Sequence, residues 1–98
     1  MSDEIESIVQ ETLPKLSRLN AVVRFDLGEG GYTIDARQAP AALAEDGSVD
    51  PDCTIKVSRD NLVKLINGQM DPMLGYTLGR IKVQGSLEVA MRLVKAIT

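Results

Sequence analysis

The sequence predicts an α+β domain: a five-stranded, largely antiparallel sheet with helices packed on one face. Two observations favour this class. Residues 21–57 contain the alternating apolar and polar positions typical of β-strands, whereas residues 58–98 carry mainly apolar positions at helical spacing. One more alternating segment, residues 80–84, stands between the late helices. Because 98 residues suit one domain with one core, residues 1–98 are expected to form a single domain.

The first predicted element is a helix near the N-terminus. Ser2 and Asp3 are good capping residues, and Glu4 and Glu6 suit the positive end of the helix dipole. Pro14 should end or kink this helix, because proline pushes the residue before it out of the helical region. The apolar residues of the segment recur at helical spacing and are Ile5, Ile8, Val9, Leu13 and Leu16.

A β-hairpin is predicted next. Residues 21–27 and 32–37 alternate, and residues 28–31 between them read Gly-Glu-Gly-Gly. These glycines suit either a turn or a phosphate-binding loop. The turn is favoured, because the segment lacks the lysine and the strand-to-helix setting of a nucleotide-binding loop. Residues 39–44 predict a third strand of small residues, although Pro40 interrupts it.

An acidic turn precedes the fourth predicted strand, residues 53–57. Asp46, Asp50 and Asp52 lie close together in the turn, but their spacing does not match a calcium-binding loop. A solvated turn is therefore favoured, and no metal site is assigned. Cys53 is either a small core residue or a reactive thiol. The core role is favoured, because the chain has no histidine to activate the thiol.

Two short helices and a fifth strand follow. Ser58 caps the first of these helices, which ends at Gly68, and Asp71 caps the second, which ends at Gly79. Residues 80–84 then alternate as a strand. The apolar residues of the two helices are Leu62, Leu65, Ile66, Met73, Leu74 and Leu78.

A final helix is predicted from Ser86 onward. Glu88 near its start and Lys95 near its end both suit the helix dipole. Its predicted buried stripe consists of Leu87, Ala90, Met91, Val94 and Ile97.

The composition restricts the chemistry. Because the chain has no histidine, Ser-His-Asp and Cys-His catalysis and histidine metal sites are excluded, and no catalytic residue, metal or cofactor is predicted. A net charge of −3 argues against binding to nucleic acid phosphates. The charge is uneven, with net −7 in residues 1–53 and net +4 in residues 54–98. No apolar run has the length of a signal peptide or a membrane span, so a soluble, cytoplasmic protein is expected.

Residues 51–98 contain a distinctive order of short motifs. These are P-D-x-T before a strand, N-G at the end of a helix, D-P, a tyrosine, G-R-I-K-V, a glycine, and A-M-R-L. This order resembles the sterol carrier protein type-two domain family. The residues that carry the resemblance are Pro51, Asp52, Thr54, Asn67, Gly68, Asp71, Pro72, Tyr76, Gly79, Arg80, Ile81, Lys82, Val83, Gly85, Ala90, Met91, Arg92 and Leu93.

The resemblance implies a sheet and helices that enclose an apolar tunnel for a fatty acid, acyl-coenzyme A, sterol or phospholipid, without catalysis. Bound lipid would then stabilise the fold, because it restores packing contacts that an empty cavity lacks. For the methionines, packing in the core is the alternative to lining the tunnel. The ligand-binding residues that the resemblance implies are Phe25, Ile34, Leu65, Ile66, Met70, Met73, Tyr76, Leu78, Met91 and Val94.

Other partners and functions stay open from the sequence. Four basic residues form either a solvated face, which is favoured, or a contact with an anionic membrane or with the phosphate of an acyl-coenzyme A. The resemblance also allows a homodimer, or an accessory module that docks on an enzyme of a lipid or quinone pathway. An enzyme that uses lysine, aspartate or tyrosine alone is the third alternative. The four basic residues are Arg80, Lys82, Arg92 and Lys95.

Overall fold

The computed structural model describes residues 3–45 and 47–97. The capping role predicted for Ser2 and the turn role predicted for Asp46 therefore lie outside the described residues. The elements are α1 (Asp3–Thr12), a 3-10 helix (Leu13–Leu16), β1 (Val22–Asp26), β2 (Gly31–Asp35), β3 (Ala42–Ala44), β4 (Cys53–Val57), α2 (Arg59–Ile66), α3 (Pro72–Thr77), β5 (Ile81–Gly85) and α4 (Leu87–Ile97).

The five strands form one sheet in the order β3-β2-β1-β4-β5. β1 and β2 pair antiparallel as the predicted hairpin, with Val22 opposite Asp35 and Asp26 opposite Gly31. The pairs β2–β3 and β4–β5 are also antiparallel, and only β1 and β4 run parallel within this sheet. The predicted fold class, an α+β domain with a largely antiparallel five-stranded sheet, is confirmed.

The two faces of the sheet differ in chemistry. Val23 and Phe25 of β1 are buried in the core, while Arg24, between them in sequence, is on the opposite face. Ile55 and Lys56 alternate in the same way along β4. Side chains of a strand alternate between faces, so one face is apolar and carries the helices, and the other is polar.

The N-terminal helical segment breaks where proline requires it. α1 ends at Thr12, and Pro14 occupies the first turn of the 3-10 helix, where a missing backbone N–H costs little. Val9 and Leu16 are fully buried. α4 is connected to this segment by the Arg92 guanidinium, which donates a hydrogen bond to the Leu19 carbonyl at 3.0 Å.

Asp52 joins the starts of β1, β4 and α4. The Val22 N–H donates to the Asp52 carboxylate at 2.8 Å, and the Asp52 N–H donates to the Val22 carbonyl at 2.7 Å. The Ser86 N–H donates to the Asp52 carbonyl at 2.9 Å. Gly85 lies against this carbonyl with φ of +88°, and a Cβ there would lie 2.5 Å from the carbonyl oxygen. Two motif residues of the sequence, Asp52 and Gly85, thus form one structural junction.

Cys53 is buried on the apolar face of the sheet, in agreement with the predicted core role. Burial raises the pKa of its thiol from 9.0 to about 11, and the negative charge of Asp52 raises that pKa further in the same direction. The thiolate is the reactive form of cysteine, so the folded protein holds this thiol in its inert form.

We expect the Cys53 thiol to resist alkylation by iodoacetamide at pH 8 in the folded protein and to react rapidly in urea. Equal labelling rates in the presence and absence of urea would contradict the buried position of this thiol.

The raised pKa of the Cys53 thiol in the folded state also makes stability depend on pH. The thiol contributes stability below pH 9, and this contribution is lost as pH rises toward 11. Urea unfolding between pH 7 and pH 11, compared with the Cys53→Ala variant, measures that loss.

α4 buries a different stripe from the predicted one. Ala90 and Ile97 are buried as expected, but Leu87 and Met91 are exposed and Val94 is only half-buried. Val89 and Leu93 are buried instead. The predicted stripe was therefore wrong in part. The reason is that α4 is apolar around two adjoining faces, and both stripes satisfy the helical period.

Candidate apolar groove between sheet and late helices

A cavity of about 370 Å³ lies between α3, α4 and the β4–β5 half of the sheet. Its floor comes from the strands, one wall from α3 and the other wall from the unburied apolar stripe of α4. Its size falls in the range of small-molecule pockets, roughly 300–1,000 Å³. The lining residues are Ile55, Pro72, Met73, Tyr76, Ile81, Val83, Leu87, Ala90, Met91, Val94 and Lys95.

The cavity is open to solvent along its walls. Met73 is 67% exposed and Met91 is 56% exposed, and Tyr76 and Leu87 are about half exposed. Large apolar side chains in one contiguous exposed surface are uncommon in monomeric proteins and mark binding sites. The structure thus has an open groove between sheet and late helices, whereas the sequence resemblance implies an enclosed tunnel.

α3 is attached to the rest of the domain by a helix cap and a close backbone approach rather than by large buried side chains. The Asp71 carboxylate caps the helix by accepting the Met73 N–H at 2.9 Å. Gly75 is its one buried residue, and a Cβ at Gly75 would lie 3.0 Å from the Ile81 side chain. Glycine thus permits the close approach of α3 to β5. Because so little of α3 is buried, the groove wall that it forms is the less anchored one.

The groove offers few polar groups. Lys95 is the one charged lining residue, and the Tyr76 hydroxyl is the other polar side-chain group. Among residues 3–45 and 47–97, no group of three acidic, cysteine or histidine side chains could hold a metal ion. This lining suits the binding of an apolar chain with one anionic end.

The structure separates the ten predicted ligand-binding residues into three groups. Met73, Tyr76, Met91 and Val94 line the groove. Others lie in or against the core: Phe25, Ile34 and Leu65 are fully buried, and Ile66 and Met70 are partly buried. Leu78 is 58% exposed and outside the groove lining. For these other six residues, a contact with ligand stays a prediction that the groove geometry does not support.

Sequence reasoning missed seven lining residues. The floor positions lie in the two predicted strands, residues 53–57 and 80–84, and the alternation of these strands could have placed them beneath the late helices. The stripe of α4 was recognised but interpreted as buried. The missed residues are Ile55, Pro72, Ile81, Val83, Leu87, Ala90 and Lys95.

The four basic residues of the predicted membrane contact have different surroundings, and the contact itself stays a prediction. Lys95 lies at the groove, and Arg92 is hydrogen-bonded to the Leu19 carbonyl. Arg80 and Lys82 line a second, polar depression at one end of the sheet. None of the helices in the described parts of the chain has the length and apolar character needed to cross a bilayer.

Fold and groove together define a small α+β domain with an apolar, ligand-sized groove between its sheet and its late helices. The chain belongs to the SCP-2 sterol transfer family, whose family model matches residues 3–98. It is 28% identical over 97 residues to sterol carrier protein 2 of Gallus gallus, covering 92% of this chain. The chain spans only 18% of the length of that relative.

Solved structures share the fold. The sterol carrier protein domain 2 of Helicoverpa armigera superposes with a TM-score of 0.70 at 25% identity, covering 92% of this chain and 76% of that one. A UbiJ-SCP2 ubiquinone synthesis protein has a TM-score of 0.71 at 23% identity, covering 98% and 91%. Sterol carrier protein 2 of Aedes aegypti, solved with palmitate, has a TM-score of 0.64 at 12% identity, covering 93% and 97%.

Proposed function

We propose that this domain binds the acyl chain of a fatty acid or fatty acyl-coenzyme A in the groove and performs no chemistry on it. The observation that carries the proposal is the lining: ten of its eleven residues are apolar or aromatic, and the remaining one is Lys95. Family membership and the palmitate complex of the Aedes aegypti protein support an apolar ligand.

The size of the groove favours a single chain. A volume of about 370 Å³ lies near the lower end of the range for ligand pockets. A sterol or a two-chain phospholipid needs more room, so these ligands would require α3 to move. Each buried methylene contributes about 0.8 kcal/mol, and affinity should therefore rise steeply with chain length until the groove is full.

The position of Lys95 predicts the orientation of the ligand. An ammonium beside an apolar groove favours a carboxylate or phosphate at that end of the chain. We expect Lys95→Met to weaken palmitate binding several-fold while leaving binding of hexadecanol, which lacks the charge, unchanged. Calorimetric titration of both ligands measures the difference. Equal losses for the two ligands would show that Lys95 acts through packing alone.

The proposal is tested by displacement of a fluorescent fatty acid, followed by native mass spectrometry of protein purified without added lipid. The expected result is saturable binding that palmitate and palmitoyl-coenzyme A displace, with one lipid per chain in the mass spectrum. Binding that does not saturate, or that competitor lipids do not displace, would overturn the proposal. Conversion of the bound lipid during incubation would overturn its non-enzymatic part.

A second candidate function is an accessory module for an enzyme of a lipid or quinone pathway. It is favoured by the similarity in fold and length to the ubiquinone synthesis protein, of which this chain covers 91%. In this reading the groove receives a polyprenyl chain or an apolar helix of a partner. Competition of a prenylated quinone with palmitate for the groove distinguishes this function from fatty acid transport.

A further inference from the structure

A second depression lies where the polar face of the sheet reaches the ends of β1 and β4. Its volume is about 370 Å³, and it shares no residue with the lining of the groove. Because three of its side chains are cations, we call it the cationic depression. Its lining residues are Asp26, Leu27, Gly28, Lys56, Val57, Ser58, Gly79, Arg80 and Lys82.

The strand register brings two of the cations together. Lys56 of β4 lies directly opposite Lys82 of β5. Residues paired in this way have Cβ atoms about 4.5–5.5 Å apart, so both ammonium groups can reach one ligand atom group. Arg80, just before β5, lines the same depression. All three side chains are exposed to solvent at its rim.

The opposed lysines cost stability. Like charges directly opposite each other destabilise a strand pair. Within residues 3–45 and 47–97, no ion pair joins Lys56, Arg80 or Lys82 to a carboxylate. The contacts of the fold therefore do not offset the repulsion, whereas an anion that bridges the two ammonium groups would offset it.

Asp26, the one carboxylate of this lining, leaves an excess of positive charge. Its carboxylate accepts the Gly28 N–H at 2.9 Å and lies 3.6 Å from the Arg24 guanidinium. Three positive charges and one negative charge give the lining a net charge of +2. A concave surface with one dominant sign of charge concentrates ligands of the opposite sign.

Ser58 adds an uncharged donor to the three cations. Its Oγ accepts the Asn61 N–H at 3.1 Å as the cap of α2. A hydroxyl group can accept and donate at the same time. The hydroxyl hydrogen of Ser58 is therefore still available to an oxygen atom of a ligand.

We propose that the cationic depression binds the diphosphate group of a soluble ligand such as a nucleoside diphosphate. The two lysines act as point charges for one phosphate, and the planar Arg80 guanidinium suits two parallel hydrogen bonds to the next. The volume of the depression lies in the range of small-molecule pockets, roughly 300–1,000 Å³, and gives room for more than one phosphate.

Calorimetric titration of the full chain with inorganic pyrophosphate and with ADP tests the inference. We expect saturable binding of one anion per chain, and pyrophosphate should bind at least tenfold more tightly than orthophosphate. Lys56→Gln/Lys82→Gln should weaken the binding of pyrophosphate at least tenfold. Lys15→Gln/Lys64→Gln is the matched control, because it removes the same charge from two exposed lysines outside the depression, and it should stay within twofold.

Thermal unfolding gives a second readout. Pyrophosphate should raise the unfolding temperature of the unsubstituted protein and leave that of Lys56→Gln/Lys82→Gln unchanged. Without ligand, this variant should be at least as stable as the unsubstituted protein, because the repulsion between the lysines is removed. A less stable variant would show that the two lysines support the fold, contrary to the cost on which the inference depends.

Two sources supply a diphosphate group: a free nucleotide, and the coenzyme A part of an acyl-coenzyme A held in the groove. The second source rests on the proposed function, and the first does not. A loss of affinity for palmitoyl-coenzyme A but not for palmitate in Lys56→Gln/Lys82→Gln would identify coenzyme A. Unchanged affinity for both lipids together with lost binding of ADP would identify a free nucleotide. Palmitate binding thus reports on the groove separately from the depression.

Three outcomes would overturn the inference. The first is equal affinity for orthophosphate and pyrophosphate, and the second is an equal loss in the two lysine pairs, since both indicate a general attraction to anions. The third is the absence of pyrophosphate binding while Lys56→Gln/Lys82→Gln lowers binding to phosphatidylserine vesicles, which would assign the cations to lipid headgroups instead of a soluble ligand.

Discussion

Replacement of Gly85 by alanine is expected to lower the free energy of unfolding by about 3–5 kcal/mol. The φ of +88° alone costs an L-residue about 1–2 kcal/mol. The new Cβ would also lie 2.5 Å from the Asp52 carbonyl oxygen, which is backbone and can move only with its strand. This movement strains the hydrogen bonds that connect Asp52 to Val22 and Ser86. Urea unfolding followed by circular dichroism measures the change.

Gly68→Ala is the matched control for this substitution. Gly68 also has positive φ, +76°, but a Cβ there meets nothing within 4 Å. In Gly68→Ala only the cost of a positive φ applies, so the free energy of unfolding is expected to fall by about 1–2 kcal/mol. If the two alanine variants were equally stable, the junction at Asp52 would not hold the strands and α4 in the way described.

Met91→Glu is expected to reduce affinity for palmitate by at least 30-fold, or about 2 kcal/mol. The side chain forms part of the α4 wall of the groove, where a carboxylate loses water when a chain enters. The new charge would also repel the ligand carboxylate and compete for Lys95, four residues further along the helix. Because Met91 is 56% exposed, stability should change by less than about 0.5 kcal/mol. Competition titration with a fluorescent fatty acid measures the affinity.

Leu78→Glu is the control for this prediction. It introduces the same charge at a residue of nearly equal exposure, 58%, that does not line the groove. Its affinity for palmitate should stay within about twofold of the unsubstituted protein. A similar loss in both variants would place the ligand elsewhere or indicate a general electrostatic effect.

The element order was predictable from the sequence because each boundary has its own local chemistry. Ser58 caps α2 by accepting the Asn61 N–H at 3.1 Å, and Asp71 caps α3, both as predicted. Pro14 marks the end of α1, and the alternation of Val23 and Phe25 identifies the inner face of β1. These signals depend on a few neighbouring residues, and tertiary contacts do not override them.

The groove was only partly predictable, because the helical period does not give the angle at which a helix packs. Eight of the eleven residues of α4 are apolar, too many for one stripe. The sequence could therefore not decide whether Met91 or Leu93 faces the core, and the structure buries Leu93. The excess of apolar residues in α4 was the available signal for the groove. A helix with two apolar faces needs a second surface or a ligand to cover one of them.

The deeply buried residues assigned to the ligand show a related limit. Phe25, Ile34 and Leu65 were assigned by position in the family, yet all three are fully packed inside the core. Apolar character is shared by core and pocket residues, and sequence does not separate the two. Exposure separates only some of them, because Ile55 and Ile81 line the groove although they are buried. The exposed apolar residues of the lining lie on α3 and α4.

The methionine methyl groups report most directly on the proposed binding of an acyl chain in the groove between α3, α4 and the sheet. The chain has four methionines, of which Met73 and Met91 line the groove and Met70 is packed against the core. NMR spectra of protein labelled with 13C at the methionine methyl groups are recorded while palmitate is added. We expect large, saturating shifts for Met73 and Met91 and a smaller shift for Met70. Unchanged Met73 and Met91 signals in the presence of bound palmitate would contradict the proposal.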